Sequence, residues 1–294
     1  MRLLTTSEAA DYLRLKERKL YELISEGQIP CTKVTGKWLF PRDELDRWLA
    51  SSLARPEGMN AAEPMPIIGG CHDALLEWAL RESGCGLAIL PEGSEAGLAR
   101  FRRGELVATA LHLHSMEGSD ADANIAAIRN KGHFFDAVLV AFARREQGLL
   151  VAPGNPLRLS GIGDVVKSRA RITLRPDGVG AQFLLRAELH RAGLKIDQLN
   201  AADPVSPTGF DAAQAIRAGR ADCGIATRAA ANGAGLDFLA IGWEHFDLLV
   251  RQRDYFRAPI QKFLGFLRGT RFAEHAKEMG GYDIARTGGI RHAP

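Results

Sequence analysis

The stretch "PMPIIGGCHDALLEWAL", Pro64–Leu80, decides the fold of the longer part of this chain. A short apolar run ends at two glycines, a small polar cluster follows, and an amphipathic helix begins at once. This order is typical of a buried strand that turns directly into a helix. The first N–H groups of such a helix have no partner inside it, and the helix dipole favours negative charge there. The stretch therefore predicts an anion-binding turn at the start of an α/β domain.

Downstream of this turn, short apolar segments alternate with helical patterns as far as the C-terminus. The segments Leu87–Leu90 and Ala137–Ala143 read as buried strands, and Asp73–Glu82 and Ala181–Arg191 read as helices. The segments "GLLVAP", "ARITL", "ADCGIAT" and "LDFLAI" are further strand candidates. Alternating strands and helices predict parallel sheets, with ligands held at the carboxyl ends of the strands.

Glycine-containing turns before helices recur along this part of the chain. Any one of them is explained by a tight turn alone, but their recurrence after successive strands favours a binding role. Neutral donors on convergent helix starts are expected to hold the anion, because each dehydrated oxygen needs a donor. The predicted ligand-binding residues are Gly70, Cys71, His72, Asp73, Gly93, Ser94, Gly178, Val179, Gly180, Ala181, Thr208 and Gly209.

Residues 1–52 have a different pattern, which predicts a separate module. A capped helix begins near Thr6, and a second helix is predicted over Glu17–Glu26. Two short strands, Ile29–Val34 and Lys37–Phe40, form a predicted hairpin, and Pro41 opens a third helix. Helix, tight turn, helix, hairpin and helix is the plan of a winged helix-turn-helix domain.

A winged helix-turn-helix domain binds double-stranded operator DNA through its second helix and its hairpin. The helix enters the major groove, while basic residues of the hairpin neutralise phosphates beside it. The predicted DNA contacts are Lys16, Arg18, Lys19 and Tyr21 on the helix, and Lys33 and Lys37 on the wing.

Two known families resemble this chain. The phrases "LTTSEAADYL", "KLYELISEGQIP" and "GKWLFPRDELDRWL" resemble the excisionase and MerR-like DNA-binding family. The phrases "IIGGCHDALLEWA", "QGLLVAPGNP" and "GGYDIARTG" resemble the type II periplasmic-binding-like domain related to molybdate-binding proteins. The second resemblance implies an α/β domain over 67–294 with a ligand between two lobes: lobe I about 67–148 and 245–294, and lobe II about 149–244. Residues 53–66, rich in proline and small polar residues, are the predicted linker.

The resemblance makes a tetrahedral oxyanion, molybdate or tungstate, the leading ligand. Three departures from the family pattern leave a larger, partly apolar metabolite open as an alternative. Cys71 stands where the family usually has serine, "GVGAQ" replaces a "GSGTR"-like run, and Pro207-Thr208-Gly209 replaces a "TSH"-like run. Thiols and apolar side chains are poor donors. His72, His112 and His114 are candidates to hydrogen-bond such a metabolite.

Composition excludes several classes of protein. The four cysteines, Cys31, Cys71, Cys85 and Cys223, have no CxxC spacing, so neither a zinc site nor a disulfide framework is expected. No nucleophile elbow, Walker loop or HExxH motif is present, so we expect no enzyme and no cofactor. The net charge of +3 is too small to decide for a polyanionic partner.

The chain is expected to be cytoplasmic and without a membrane partner. No apolar run reaches the length that a bilayer requires. Glu8 and Asp11 interrupt the N-terminal region before a signal peptide could form. The sequence thus predicts a one-component transcription regulator that senses a small anion, and a homodimer because operators are commonly palindromic. The alternative is a solute-binding subunit of an anion transport system.

Overall fold

The computed structural model describes residues 2–34, 36–51, 63–113, 123–130, 134 and 136–293. The chain divides into two units, Met1–Ala62 and Glu63–Pro294. Residues 53–62 of the predicted linker and His114 lie outside the described residues. Within the described part of the chain, no helix is both long enough and apolar enough to cross a bilayer.

The N-terminal unit has the predicted order of helices and strands. Its elements are β1 (Leu3–Leu4), α1 (Thr6–Leu13), α2 (Glu17–Ser25), β2 (Thr32–Val34), β3 (Lys37–Pro41) and α3 (Arg42–Ser51). The strands form an antiparallel sheet with β3 in the centre. Pro41, predicted to open the third helix, is instead the last residue of β3, where it lies opposite Leu3. Pairing with the short strand β1 includes Pro41, and α3 begins at the next residue, Arg42.

Local contacts and backbone conformation define both ends of α1. The Thr5 side chain accepts the N–H of Glu8 at 3.3 Å, and the Glu8 carboxylate accepts the N–H of Thr5 at 2.8 Å. This capping box fixes the start of α1. Arg14, with φ of 53°, ends α1 in a left-handed conformation. Leu20 of α2 then packs fully buried in the core of the module.

The C-terminal unit is a mixed α/β domain. Its strands are β4 (Met65–Gly70), β5 (Ala88–Pro91), β6 (Leu106–Leu111), β7 (Ala137–Val151), β8 (Arg171–Thr173), β9 (Asn200–Ala202), β10 (Cys223–Thr227), β11 (Asp237–Arg251), β12 (Tyr282–Asp283) and β13 (Ile290–His292). Its helices are α4 (Ala74–Ser83), α5 (Ser94–Arg102), α6 (Ala123–Asn130), α7 (Ile162–Lys167), α8 (Gly180–Arg191), α9 (Gly209–Arg217), α10 (Arg228–Ala234), α11 (Gln252–Tyr255), α12 (Ala258–Leu267) and α13 (Thr270–Met279). Strand β4 begins inside the range predicted as linker.

One sheet runs through the whole unit in the order β5-β4-β6-β11-β7-β10-β8-β9, and β12 and β13 pair with β7. At one end β4 runs parallel to β5 and β6, and at the other β8 runs parallel to β9 and β10. The parallel prediction therefore holds only for these two arms. Between them, β7 and β11 are antiparallel to each other and to β10 and β6, respectively. The two segments predicted as separate strands around residues 137–153 belong to the single strand β7.

Strands β7 and β11 connect the two lobes, and each lobe has its own core. The core of lobe I contains Ile68, Leu76 and Phe142, packed under α4, α12 and α13. The core of lobe II contains Ile172 and Leu184, among others. The predicted lobe boundaries, near residues 148 and 245, both fall within these two long strands. Each of these strands contributes residues to both cores. The two lobes therefore face each other across a crevice, and the two strands form its base.

Candidate ligand-binding cleft

A cavity of about 320 Å³ lies between the two lobes. Lobe I contributes the turns after β4 and β5 and the residue after β6. Lobe II contributes the turns that precede α8, α9 and α10, and β7 contributes two side chains. The polar and glycine residues of its lining include Cys71, His72, Asp73, Glu92, Gly93, His112, Arg145, Gln147, Arg175, Asp177, Gly209 and Thr227. The cavity therefore lies where several strand-to-helix turns converge.

Three of the helices that begin around the cavity are capped by their own side chains. Asp73 accepts the N–H of Leu76 at 2.9 Å at the start of α4, Thr208 caps α9, and Thr227 caps α10. Helices α5 and α8, by contrast, begin without a side-chain cap at Gly93 and Val179. Their first N–H groups are thus the donors least satisfied by side chains. Both uncapped helices begin at the cavity lining.

Arg145 of β7 is a buried guanidinium that two carboxylates neutralise. Its Nη1 donates to Asp73 Oδ2 at 3.0 Å, and its Nε donates to Glu244 Oε1 at 2.9 Å. Burial acts to lower the pKa of Arg145, but attraction to Glu244 and Asp73 outweighs it and raises the pKa. Tyr282 also donates to Asp73, at 3.0 Å. The cluster connects β7, β11, α4 and β12, and its two carboxylates leave no positive charge in excess.

Arg175, which follows β8, is also buried but has no such carboxylate. Its Nε and Nη2 donate to the carbonyl oxygens of Ser206 and Pro207, each at 2.8 Å. No carboxylate among the described residues forms a salt bridge with it. The side chain is 9% exposed, and burial lowers its pKa to about 10, so it is charged at neutral pH. Its Nη1 lies 3.7 Å from the position that a Cβ would take at Gly209. Because Gly209 has no side chain, Nη1 lies close to the backbone at the start of α9.

Gln147 of β7 supplies a neutral acceptor. Its Nε2 donates to Glu244 Oε1 at 2.8 Å, and its Oε1 is buried without a hydrogen-bond partner among the described residues. A carboxylate only accepts hydrogen bonds, so the amide NH2 must face Glu244 and the amide oxygen must point away from it. Gln147 is 3% exposed and belongs to the cavity lining.

The structure brings most of the predicted ligand-binding residues together. The cavity lining includes Cys71, His72, Asp73, Gly93, Val179, Ala181 and Gly209. Gly70, Ser94, Gly178, Gly180 and Thr208 adjoin these residues in the chain but are not part of the lining. Thr208 uses its hydroxyl at α9, where it donates to Asp211 at 2.6 Å and accepts the Asp211 N–H at 3.1 Å.

Ser94 has a different role from the predicted one. Its hydroxyl donates to the carbonyl of His112 at 3.0 Å, accepts the His112 N–H at 3.1 Å, and lies 3.0 Å from Cys71 Sγ. These three contacts fill the capacity of a hydroxyl group. Ser94 therefore positions Cys71 and His112 instead of facing a ligand. Burial raises the pKa of the Cys71 thiol, which the N–H of Gly180 also contacts from lobe II.

Arg145, Arg175 and Gln147 were not predicted from the sequence. The pattern of glycine turns predicts neutral donors alone, whereas the cavity wall contains two arginines. A weak signal was present: Arg175 directly follows the apolar segment of β8, and Arg145 interrupts an apolar run. Charged residues at such places are expected to lie at a functional edge of the sheet. The partner of Arg145, Glu244, carries no local signal.

A second cavity, of about 350 Å³, lies beside β7 and the C-terminal segment. Its lining includes Arg144, Asp283 and Arg291. Arg144 lies 3.5 Å from Asp283, and Arg291 pairs with Asp247. These ion pairs engage two of the three arginines of that lining, and the third, Arg286, is exposed to solvent. The interlobe cavity, whose wall holds the buried Arg175 without a salt bridge, is therefore the candidate ligand site.

All six predicted DNA contacts are exposed on the N-terminal unit. On α2, Arg18 and Lys19 lie 3.6 and 3.0 Å from Glu22, which partly offsets their charge. Tyr21 is 49% exposed. On the hairpin, the Lys33 ammonium lies 5.2 Å from the ring centroid of Trp38, and Lys37 is exposed beside it. Within the described part of the chain, Lys16, Lys33 and Lys37 are thus the predicted DNA contacts that carry a positive charge and form no salt bridge.

The C-terminal unit has two α/β lobes, two strands that cross between them and a cavity at their interface. This architecture is that of periplasmic-binding-type proteins. The chain belongs to the PBP superfamily domain family, which it matches over residues 77–268. Residues 3–52 match a helix-turn-helix domain family. The predicted combination of families is therefore confirmed.

Similar proteins cover between 72% and 97% of the chain. The uncharacterized protein YvgK of Bacillus subtilis (strain 168) is 24% identical over 309 residues, covering 97% of this chain and 96% of that protein. A tungstate ABC transporter structure from Geobacter sulfurreducens is 12% identical, with a TM-score of 0.51, and covers 72% of this chain and 97% of its own. H2O2-bound OxyR from Corynebacterium glutamicum is 14% identical, with a TM-score of 0.50. The match covers 94% of this chain and 89% of the OxyR chain. At these identities, the two solved structures establish the fold alone.

Proposed function

We propose that this protein is a one-component transcription regulator whose effector is a small anion bound between the lobes. The helix-turn-helix unit binds double-stranded operator DNA in the cytoplasm, and the chain acts as a homodimer. The observation that carries the effector assignment is Arg175, a buried guanidinium in the cavity wall without a carboxylate partner. Molybdate, tungstate and small organic anions all have oxygens that accept from it.

The electrostatics of the cavity favour an anion at Arg175. Removing a guanidinium from water is costly unless an opposite charge compensates it, and two carbonyl oxygens and the more distant Asp211 carboxylate do so only in part. An anion beside Nη1 supplies that charge through charge-assisted hydrogen bonds. The uncapped starts of α5 and α8 add N–H donors at the lining. The Arg145 guanidinium faces two carboxylates, so the cluster has no positive charge in excess and does not compete for the anion.

Regulation follows from the preference of the anion for the closed arrangement of the lobes. In that arrangement, Gly93 and Gly178 adjoin across the crevice: a Cβ at Gly93 would lie 3.1 Å from the Gly178 carbonyl oxygen. A ligand that binds only between closed lobes shifts the population toward closure. If closure changes operator affinity, DNA must change anion affinity by the same factor.

A thermal-shift experiment on the full-length chain tests the effector assignment. Sulfate, phosphate, molybdate, tungstate and small carboxylates are added separately to the wild type, to Arg175→Gln and to Arg217→Gln. Arg217 is an exposed arginine at the end of α9 and lies outside the cavity lining, so it is the matched control. An anion at a hundred times its Kd stabilises by about 2.7 kcal/mol. Stabilisation of the wild type and Arg217→Gln, but not of Arg175→Gln, is expected. Equal stabilisation of all three would contradict the assignment.

Operator binding is tested separately by selection from a random pool of duplex DNA. The selected duplex is then titrated by fluorescence anisotropy with and without the stabilising anion. We expect affinity for one family of sequences, changed by the anion. A chain that binds the anion but selects no duplex would instead support the solute-binding subunit of an anion transport system.

A further inference from the structure

The carboxamide oxygen of Gln147 needs a hydrogen-bond donor, which a simple oxyanion does not have. Its Oε1 is buried without a partner among the described residues, and its orientation follows from the bond between Nε2 and Glu244. A buried acceptor without a donor is costly, so its partner comes from whatever fills the cavity. The oxygens of molybdate, tungstate and sulfate are acceptors only. Placed here, they would face both an amide oxygen and the Glu244 carboxylate.

The size of the cavity points the same way. A water molecule takes up about 30 Å³ in the liquid. Four oxygens of that size, as in a tetrahedral oxyanion, therefore need on the order of 120 Å³. The cavity measures about 320 Å³. Part of its lining is apolar, with Pro91, Val179, Ala230 and Met279 among the residues. A tetrahedral oxyanion at Arg175 would leave more than half of this space to water or empty.

The cavity is also polarised. Arg175, with no carboxylate partner, lies on the lobe II side, whereas Gln147 lies on β7 beside Glu244. We infer that the effector is a small organic anion that also carries an O–H or N–H donor. Its carboxylate or phosphate binds Arg175, its donor binds Gln147 Oε1, and its carbon skeleton covers the apolar lining. This inference rests on the proposed anion-sensing function and narrows the class of the effector.

Matched pairs of probes on the full-length chain test the inference by isothermal titration calorimetry. Lactate is compared with propionate, and glycerol 3-phosphate with propyl phosphate; each pair shares its anionic group and differs in hydroxyl donors. Sulfate, molybdate and tungstate form the donor-free arm. We expect the hydroxylated member of at least one pair to bind tenfold or more tightly than its partner. Which pair responds identifies the anionic group as a carboxylate or a phosphate.

The variant Gln147→Leu removes the acceptor at nearly constant volume. It is expected to bring the affinity ratio within the responding pair close to one. Gln252→Leu, at an exposed position on α11, is the control and should keep the wild-type ratio. If Gln147→Leu fails to fold, the wild-type ratios still decide the question.

Two results would overturn the inference while leaving the anion site intact. One is Arg175-dependent binding of tungstate or molybdate more tightly than any hydroxylated probe. The other is equal binding of both members of each pair. Loss of all anion binding in the wild type would instead remove the proposed function itself.

Discussion

Gly180 at the start of α8 lies directly against the imidazole of His112: a Cβ at Gly180 would lie 1.8 Å from His112 Nε2 and 2.0 Å from Cδ2. The two residues belong to different lobes, so their contact measures how closely the lobes approach. His112 is 3% exposed, and Ser94 binds its backbone on both sides. The ring is therefore held in place, and only a hydrogen atom at position 180 permits this approach.

Gly180→Ala is expected to hold the lobes apart. The added methyl group cannot share the space of the His112 ring, so the closed arrangement is lost while each lobe keeps its own core. We expect anion affinity to fall tenfold or more, and the radius of gyration from small-angle X-ray scattering to stay at its anion-free value when anion is added. Gly163→Ala, where a Cβ would meet nothing within 4 Å, is the matched control in helix α7. Unchanged affinity in Gly180→Ala would show that closure does not depend on this contact.

Arg145→Met is expected to destabilise the C-terminal unit strongly. Asp73 and Glu244 would remain buried without their cation, which costs about 3–5 kcal/mol. For a unit of this size, that corresponds to a fall in Tm on the order of 10 °C. The neighbouring Arg144→Met is the control, because Arg144 is 44% exposed at its side chain and its contacts, an ion pair with Asp283 and a stack on Trp243, lie at the surface. Differential scanning calorimetry compares the two variants, and similar Tm values would refute a structural role for the Arg145 cluster.

The pH dependence of anion binding should follow Arg175. Burial lowers its pKa to about 10, so the guanidinium stays charged from pH 7.5 to about 9, and affinity for fully ionised sulfate is expected to be constant there. As pH rises through about 10, the folded form loses this proton before the unfolded form does. Affinity then falls, while the contribution of Arg175 to the free energy of unfolding increases. Titration calorimetry of the wild type against Arg175→Gln separates this effect from other groups: the decline should be absent from the variant. A decline of equal size in both would assign it elsewhere.

Lys37→Ala should weaken DNA binding without changing sequence preference. Lys37 is exposed on the hairpin, where a cation neutralises a phosphate and releases counterions. The slope of log K against log salt is expected to fall in magnitude by about one, as measured by anisotropy on a selected duplex. Lys167→Ala, an exposed lysine at the end of α7, serves as the control. An unchanged slope in Lys37→Ala would remove the wing from the DNA interface.

Local pattern was sufficient for much of the fold. Leu20 and its apolar neighbours predict the inward face of α2, and the glycines of the segment Ile67–Asp73 predict the strand-to-helix turn that now lines the cavity. Such features depend on residues within a few positions of one another, where the periodicity of strands and helices acts directly. The order of elements and the location of the cleft followed from them, together with the family resemblance.

Other features depended on the tertiary structure. Arg145 and Glu244 are separated by 99 positions and meet only because β7 and β11 pair antiparallel over their whole length. The same pairing places Gln147 beside Glu244 and leaves its oxygen to the cavity. The sequence by itself determined which segments form helices, strands and turns, since those choices are local. Long-range packing decided which buried charges form salt bridges and which, like Arg175, do not, because the partners of a charge are neighbours in space and not along the chain.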